Sequence, residues 1–193
     1  MAFVFTSILG LVLPIFIIGA IVYLIVRKRN GDNGITAYHA LISYIYFVIG
    51  ASVITAVTGF SVLIYAILKD AYDGEKIVDD ISLGLTLLGT GFIICILHFY
   101  GKQAIASKSK EIVTTLRRVY LFIMLSIFSL AGLISLPLAI NSLVNYEIEE
   151  SSHRDDPAAQ LATAIVVVPL WIYYLLRILH EIRKNSEIKS LEK

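Results

Sequence analysis

The apolar positions of this chain run on in long, charge-free stretches. Ala2–Val26, Ala40–Leu68, Ile81–Leu97, Val119–Tyr146 and Pro157–Leu176 contain no Asp, Glu, Lys or Arg. Each comes close to or exceeds the roughly 20 apolar residues that cross a bilayer as a helix. The period-two alternation of a membrane barrel is absent from these stretches, and only helices or closed barrels satisfy the backbone in lipid. The pattern therefore predicts an all-α membrane protein with five transmembrane helices, at about 2–26, 36–68, 81–100, 118–146 and 157–183. They form one integral membrane domain over 1–193, a leading helix followed by two helical hairpins of the same orientation.

Polar punctuation agrees with these limits. Asp79-Asp80 precedes the third stretch, and Asp155-Asp156-Pro157 opens the fifth with an N-cap and a proline in the first turn. Pro14, Pro137 and Pro169 fall inside helices, where a kink is tolerated. No basic residue precedes Arg27, and no small-x-small site follows the first run, so it reads as a retained helix and not as a cleaved signal.

Composition adds what this chain is not. With 58% hydrophobic and 16% charged residues it is far more apolar than a soluble domain. Cys95 is the only cysteine, which excludes a disulfide or a cysteine-ligated cluster within one chain. Charge is divided by loop. The segments Arg27–Gly34 and Gly101–Arg118 and the tail from Arg177 hold 13 of the 16 Lys and Arg residues, while Lys69–Asp80 and Glu147–Pro157 hold 10 of the 15 carboxylates. Basic loops stay cytoplasmic, so the N-terminus is expected outside and the C-terminus inside. Tyrosines near both interfaces read as an aromatic belt. Lys102–Arg118 reads as a brief interfacial helix facing anionic lipid at the cytoplasmic face.

Small residues recur at helical spacing in three places: Ser52, Ala56 and Gly59; Gly84, Leu88 and Gly91; Ser126, Ser129 and Gly132. Such stripes let the second, third and fourth helices approach closely. The two hairpins also echo each other at an offset of 82 residues, matching Tyr38 with Tyr120, Gly50 with Gly132, and Ile96-Leu97-His98…Lys102 with Ile178-Leu179-His180…Lys184. A duplicated hairpin is one reading. Aligning the acidic helix starts gives a different offset, 76, so the register is ambiguous.

Chemistry has few candidates. His98 and His180 would make a poor ligand pair, because His180 lies about 9 Å further along its helix. His and Lys one turn apart at a helix C-terminus complement the macrodipole, which is the plainer account of both. His39 lies nearer the depth of His98, and the two could hold a haem b between neighbouring helices. No charged residue sits mid-helix, which disfavours an ion-coupled carrier. Thr55, Thr58, Thr86, Thr90 and Asn141 are expected to make interhelical hydrogen bonds, with a permeation lining as the alternative. The acidic outer loops match no calcium-loop spacing, and no phosphate loop, zinc-protease helix or dinucleotide turn is present, so neither a catalytic residue nor a metal ligand is assigned.

The paired hairpins, with Pro169-Leu-Trp171-Ile-Tyr-Tyr174 near the inner end of the last helix, resemble an uncharacterised prokaryotic multi-pass membrane domain family of unknown function. The resemblance covers about Ala37 to Asn185. That family closes such helices on Pro-x-Trp-x-x-His; here Tyr174 stands at the histidine position, and His98 keeps the histidine without the Pro or Trp. The family implies the fold and supplies no activity. The expectation is a non-enzymatic protein of a prokaryotic plasma or inner membrane, an accessory or scaffold subunit of a larger complex. Its partners are the bilayer and other membrane subunits, and nucleic acid is not among them. A small haem b electron-transfer subunit using His39 and His98 is the alternative, and a channel or carrier for a neutral or lipid-like solute is a third.

Overall fold

The computed structural model describes residues 37–73, 78–106, 110–148 and 157–191. They form four helices: α1 (Ala37–Asp73), α2 (Val78–Ala106), α3 (Lys110–Ile148) and α4 (Ala158–Leu191). The first apolar stretch, Ala2–Val26, and its Pro14 lie outside the described residues, as do Asp155 and Asp156. All four helices are long and apolar enough to cross a membrane, over Ala40–Tyr72, Val78–Ala104, Val113–Ile148 and Ala158–Arg183. That is the make-up of a multi-pass membrane protein.

Every helix outruns its charge-free stretch. At 37, 29, 39 and 34 residues, they measure between about 43 and 58 Å, against about 30 Å of hydrocarbon. Charge marks where the hydrocarbon ends, whereas the helix continues for as long as its polar turns keep their own backbone bonds. Hence Lys102–Ala106 belongs to α2 and Lys110–Arg118 to α3, and no separate interfacial helix forms from these residues. For the same reason Asp79 and Asp80 lie within the first turn of α2, not ahead of it, where they complement its N-terminal dipole. α4 begins at Ala158, one residue past Pro157, whose carbonyl accepts the first helical bond from the Leu161 N–H at 3.0 Å and so takes the cap position itself. Pro137 and Pro169 are accommodated inside α3 and α4.

Successive helices alternate in direction. The starts of α1 and α3 meet the ends of α2 and α4 at one pole, where Tyr46 packs on Tyr120 and Arg117 pairs with Glu181. At the other pole Tyr72 meets Tyr146 edge-on, with ring centroids 5.0 Å apart. The hub is α1, which packs along α2 and also touches α3 and α4; α3 and α4 pack on each other. The main core is shared by α1, α3 and α4. It gathers Ile54, Met124, Phe128, Val167, Tyr174 and Ile178, flanked by Trp171. A smaller cluster of Ile42, Tyr46 and Leu116 lies nearer the end of the bundle. α2 stands outside both cores.

What holds α2 is a seam of small residues. A Cβ on Gly59 would fall 2.3 Å from the Leu88 nitrogen, and one on Gly91 would fall 2.5 Å from the Ala56 nitrogen and 2.7 Å from the Ser52 oxygen. The first two stripes therefore meet, backbone against backbone. The third behaves differently: a Cβ on Gly132 would find Val167 and Trp171 side-chain atoms of α4 at 3.7 and 3.9 Å, ordinary contact distances. Ser126 is exposed and bonds back to the Phe122 carbonyl at 2.9 Å. The fourth stretch thus makes no backbone-close seam.

The threonines also depart from expectation. Thr55 bonds Ala51 O, Thr58 bonds Ile54 O and Thr86 bonds Ser82 O, at 3.0, 2.9 and 2.8 Å. These bonds stay within one helix because the carbonyl four residues back is always within reach of a hydroxyl. Thr86, Thr90 and Asn141 are exposed.

Candidate functional site

Polar and aromatic side chains converge at the pole where α1 and α3 begin and α2 and α4 end. Tyr46, in the third turn of α1, is buried and packs on Tyr120 of α3, with ring centroids 5.5 Å apart. Its hydroxyl donates to the Val113 carbonyl at 3.5 Å. Tyr120 and Tyr174 share a hydrogen bond between their hydroxyls at 3.3 Å. The Tyr174 ring stacks on Phe128 at 5.4 Å, and Tyr173 meets its edge at 5.3 Å. Tyr120 and Tyr174 are thus helix-to-helix contacts and not a lipid-facing belt. A buried tyrosine keeps its hydroxyl only where that group finds a partner, and here the partners are a carbonyl and each other.

Lys102 brings α2 to this pole. Its ammonium lies 5.4 Å from the Tyr46 ring centre and 4.7 Å from that of Phe99, an arrangement in which the aliphatic stem stays in apolar surroundings while the charge meets π-faces. Beyond the tyrosines, Arg117 and Arg118 of α3 flank Glu181 of α4. The Arg117 Nη2 donates to Glu181 Oε2, and Arg118 Nε lies 3.6 Å from Oε1. The carboxylate is the covered partner, with 16% of its side chain exposed against 41% and 42% for the two arginines. Arg117 Nε is itself covered and has no acceptor among the described residues. A cleft of about 160 Å³ opens beside this group, walled by Arg118, Glu181, Leu121, Phe122, Ile178 and Ile182. Two cations around one shielded carboxylate leave a net positive, outward-facing surface, which is suited to an anion.

The histidines take separate places. His98 is half-buried on α2; its Nδ1 lies 2.9 Å from the Ile94 carbonyl, and its ring meets Tyr44 of α1 edge-on at 6.0 Å. His39 lies in the first turn of α1, and its side chain is outside the described residues. The register sets Tyr44 opposite His98, five residues beyond His39, or about 7.5 Å along α1. His180 is exposed, beside Glu181 and beyond Arg177. Among the described residues no three His, Cys, Asp or Glu side chains gather as a metal site needs. Cys95 is a free thiol in α2.

Sequence reasoning passed over Arg117, Arg118, Glu181 and the Tyr120–Tyr174 pair. One signal was available: Glu181 is a carboxylate set between Arg177 and Arg183 on the side of the molecule that otherwise collects bases. Such a residue asks for a cationic partner. The Pro169–Tyr174 stretch also finds its explanation in packing, since Trp171 lies beside Gly132 and Tyr174 lies between Tyr120 and Phe128.

The family described as a domain of unknown function (DUF5671) matches residues 43–173, about two-thirds of the chain. The match takes in His98, Lys102, Arg117, Arg118 and Tyr120, and it leaves His39, Tyr174 and Glu181 outside. No curated protein and no solved structure matches. The resemblance to an uncharacterised membrane family is borne out by this match, and the chain belongs to the DUF5671 family.

Proposed function

We propose that this is a non-enzymatic integral membrane protein that serves as an accessory or scaffold subunit of a larger membrane complex. The observation that carries the reading is the one-sided attachment of α2. The glycine seam fixes α2 to α1 at backbone distance, while Leu83, Leu85, Phe92, Ile93 and Leu97 stand exposed along the rest of its surface. Thr86, Gly89 and Thr90 are exposed among them. Small and hydroxylated residues are what transmembrane helices approach one another through. A hairpin held rigid on one side and open on the other suits a platform for a second membrane subunit.

In this reading a leading helix over Ala2–Val26 makes five, the N-terminus is outside, and the C-terminus is in the cytoplasm of a cell bounded by that membrane. Loop charge supports the orientation. So does the gathering of Lys102, Arg117, Arg118, Arg177 and Arg183 toward one pole and of Asp70, Asp79, Asp80 and Glu147 toward the other. The test is cross-linking in native membranes from a cysteine introduced at Thr86, in a chain whose Cys95 is replaced by serine. A covalent adduct with another membrane polypeptide is expected. Recovery of the chain alone and monomeric, without an adduct, would sink the reading.

A second reading has one observation behind it. The contact of His98 Nδ1 with the Ile94 carbonyl fixes the ring and leaves Nε2 as the coordinating atom, as in many metal-bound histidines. A haem b held by His39 and His98 would then make this an electron-transfer subunit, although the register that sets Tyr44 opposite His98 counts against it. An optical spectrum of the purified protein, oxidised and reduced, decides this directly. A reducible Soret band lost in His98→Ala would replace the scaffold reading, and a featureless spectrum would remove the haem reading.

A further inference from the structure

We propose that the cleft between α3 and α4 is a binding site for one anionic glycerophospholipid, with the phosphodiester at Arg118, backed by Arg117, and an acyl chain along Leu121, Phe122 and Ile178. The cleft has the amphipathic layout such a ligand needs. Arg118 and Glu181 form its charged end, and the residues one turn further into the bundle on α3, Leu121 and Phe122, are wholly apolar. On α4 Ile178 continues the same trough inward. The charged end lies where the apolar stretch of α3 begins, at Val119, which is the depth of a lipid headgroup.

Charge selects the sign of the ligand. Glu181 is largely covered between its two arginines, whose side chains keep more of their surface exposed than the carboxylate does. Lys102 lies close enough to Arg117 and to Arg177 to feel both charges, which adds positive potential at this pole. Glu181 holds Arg117 through one nitrogen, and the covered Nε of that guanidinium has no acceptor among the described residues. The carboxylate thus positions the arginines while both keep exposed surface. A planar guanidinium matches phosphate oxygens in a way that a mobile lysine ammonium does not. The trough then separates a phospholipid from a free phosphate, because only the lipid has a chain to lay along it. The site itself requires no particular orientation in the membrane; only the choice of leaflet rests on the proposed topology.

The test uses the full-length chain purified in a mild detergent, with native mass spectrometry and thermal unfolding as readouts. Phosphatidylglycerol is the probe, against phosphatidylcholine and inorganic phosphate. One bound phosphatidylglycerol per chain and a raised melting temperature are expected, with neither from the other two. Arg118→Gln should weaken binding about tenfold, the loss of a charge-assisted hydrogen bond. Phe122→Ala changes no charge and removes an exposed wall of the trough, so it should weaken binding to a similar extent. Arg183→Gln, which removes the same charge from the same pole outside the cleft, should leave binding unchanged. Equal loss in Arg183→Gln would show diffuse attraction to basic helix ends and overturn the site. Full binding in Phe122→Ala would overturn the acyl trough, and equal binding of inorganic phosphate would overturn the lipid assignment. Because Phe122→Ala leaves the ion pair intact, the proposal stays testable even where Arg118→Gln fails to fold. None of these readouts depends on a protein partner, so this site and the scaffold reading can fail separately.

Discussion

Where α2 lies against α1, Gly59 and Gly91 leave no width for a methyl group; where α4 lies against α3, Gly132 leaves ordinary contact distance to Val167 and Trp171. The first hairpin is closed by main-chain atoms, and the second by tyrosines, a tryptophan and an ion pair. Backbone has no rotamers, so a backbone seam fits in one register or fails. Side chains can rotate and repack, so a side-chain seam tolerates change at a graded cost. The bundle thus combines an inflexible half with an adjustable one, and the charged cleft is on the adjustable half.

The contrast can be broken most sharply at the seam. Gly59→Ala and Gly91→Ala each put a Cβ within 2.5 Å of main-chain atoms. Each should destabilise by about 3 kcal/mol, the upper end of overpacking costs, or detach α2 altogether. Thermal unfolding in detergent measures the first outcome, and cysteine accessibility along α2 the second. A near-neutral result would mean that the helices are not at backbone distance. Glu181→Gln acts on the other half and should cost about 1 to 2 kcal/mol, between the values for exposed and buried ion pairs, because both arginines stay partly exposed. Raised salt should reduce that difference; a cost independent of salt would assign it to packing. Tyr174→Phe removes the bond to Tyr120 and keeps the stack on Phe128, so a loss of about 0.6 kcal/mol is expected, typical of polar contacts between membrane helices. Smallest of all, Gly132→Ala should change stability by less than about 0.5 kcal/mol, in the stabilising direction, since it adds helix propensity where space exists. A large loss there would erase the distinction between the hairpins.

The sequence shows the four described helices clearly, because a long uncharged run has few ways to exist in lipid other than as helix. It shows their ends poorly. Charge reports the edge of the hydrocarbon, and Arg117, Glu181 and Lys102 all lie past that edge on helices that continue. Two of the three small-residue stripes were legible as a seam, whereas the third was not distinguishable from them: Ser126, Ser129 and Gly132 have the same spacing, and only their neighbours' side chains decide whether the gap is filled. The threonines misled for a local reason, since composition cannot tell a hydroxyl turned to its own helix from one turned to a neighbour. The echo at offset 82 does not extend to the packing. Gly59, Gly84 and Gly91 would correspond to Asn141, Val166 and Tyr173, so whatever the origin of the two hairpins, the seam belongs to one of them. The candidate cleft was not legible, because it joins residues 64 apart whose meeting depends on the register of α3 against α4.

The hydroxyls of Thr55, Thr58, Thr86, Ser126 and Thr163 are each bonded within their own helix. These hydroxyls need not wait for a neighbour before they can leave water, whereas those of Tyr46, Tyr120 and Tyr174 find their partners only on another helix. During biogenesis the threonines and Ser126 therefore add no polar cost to the passage of a helix from the translocon into lipid, and the tyrosine bonds form in a separate, later event when the helices meet. Exchange of Thr86 for valine should then leave insertion efficiency almost unaltered, and the decisive step in making this protein becomes the meeting of finished helices within the bilayer.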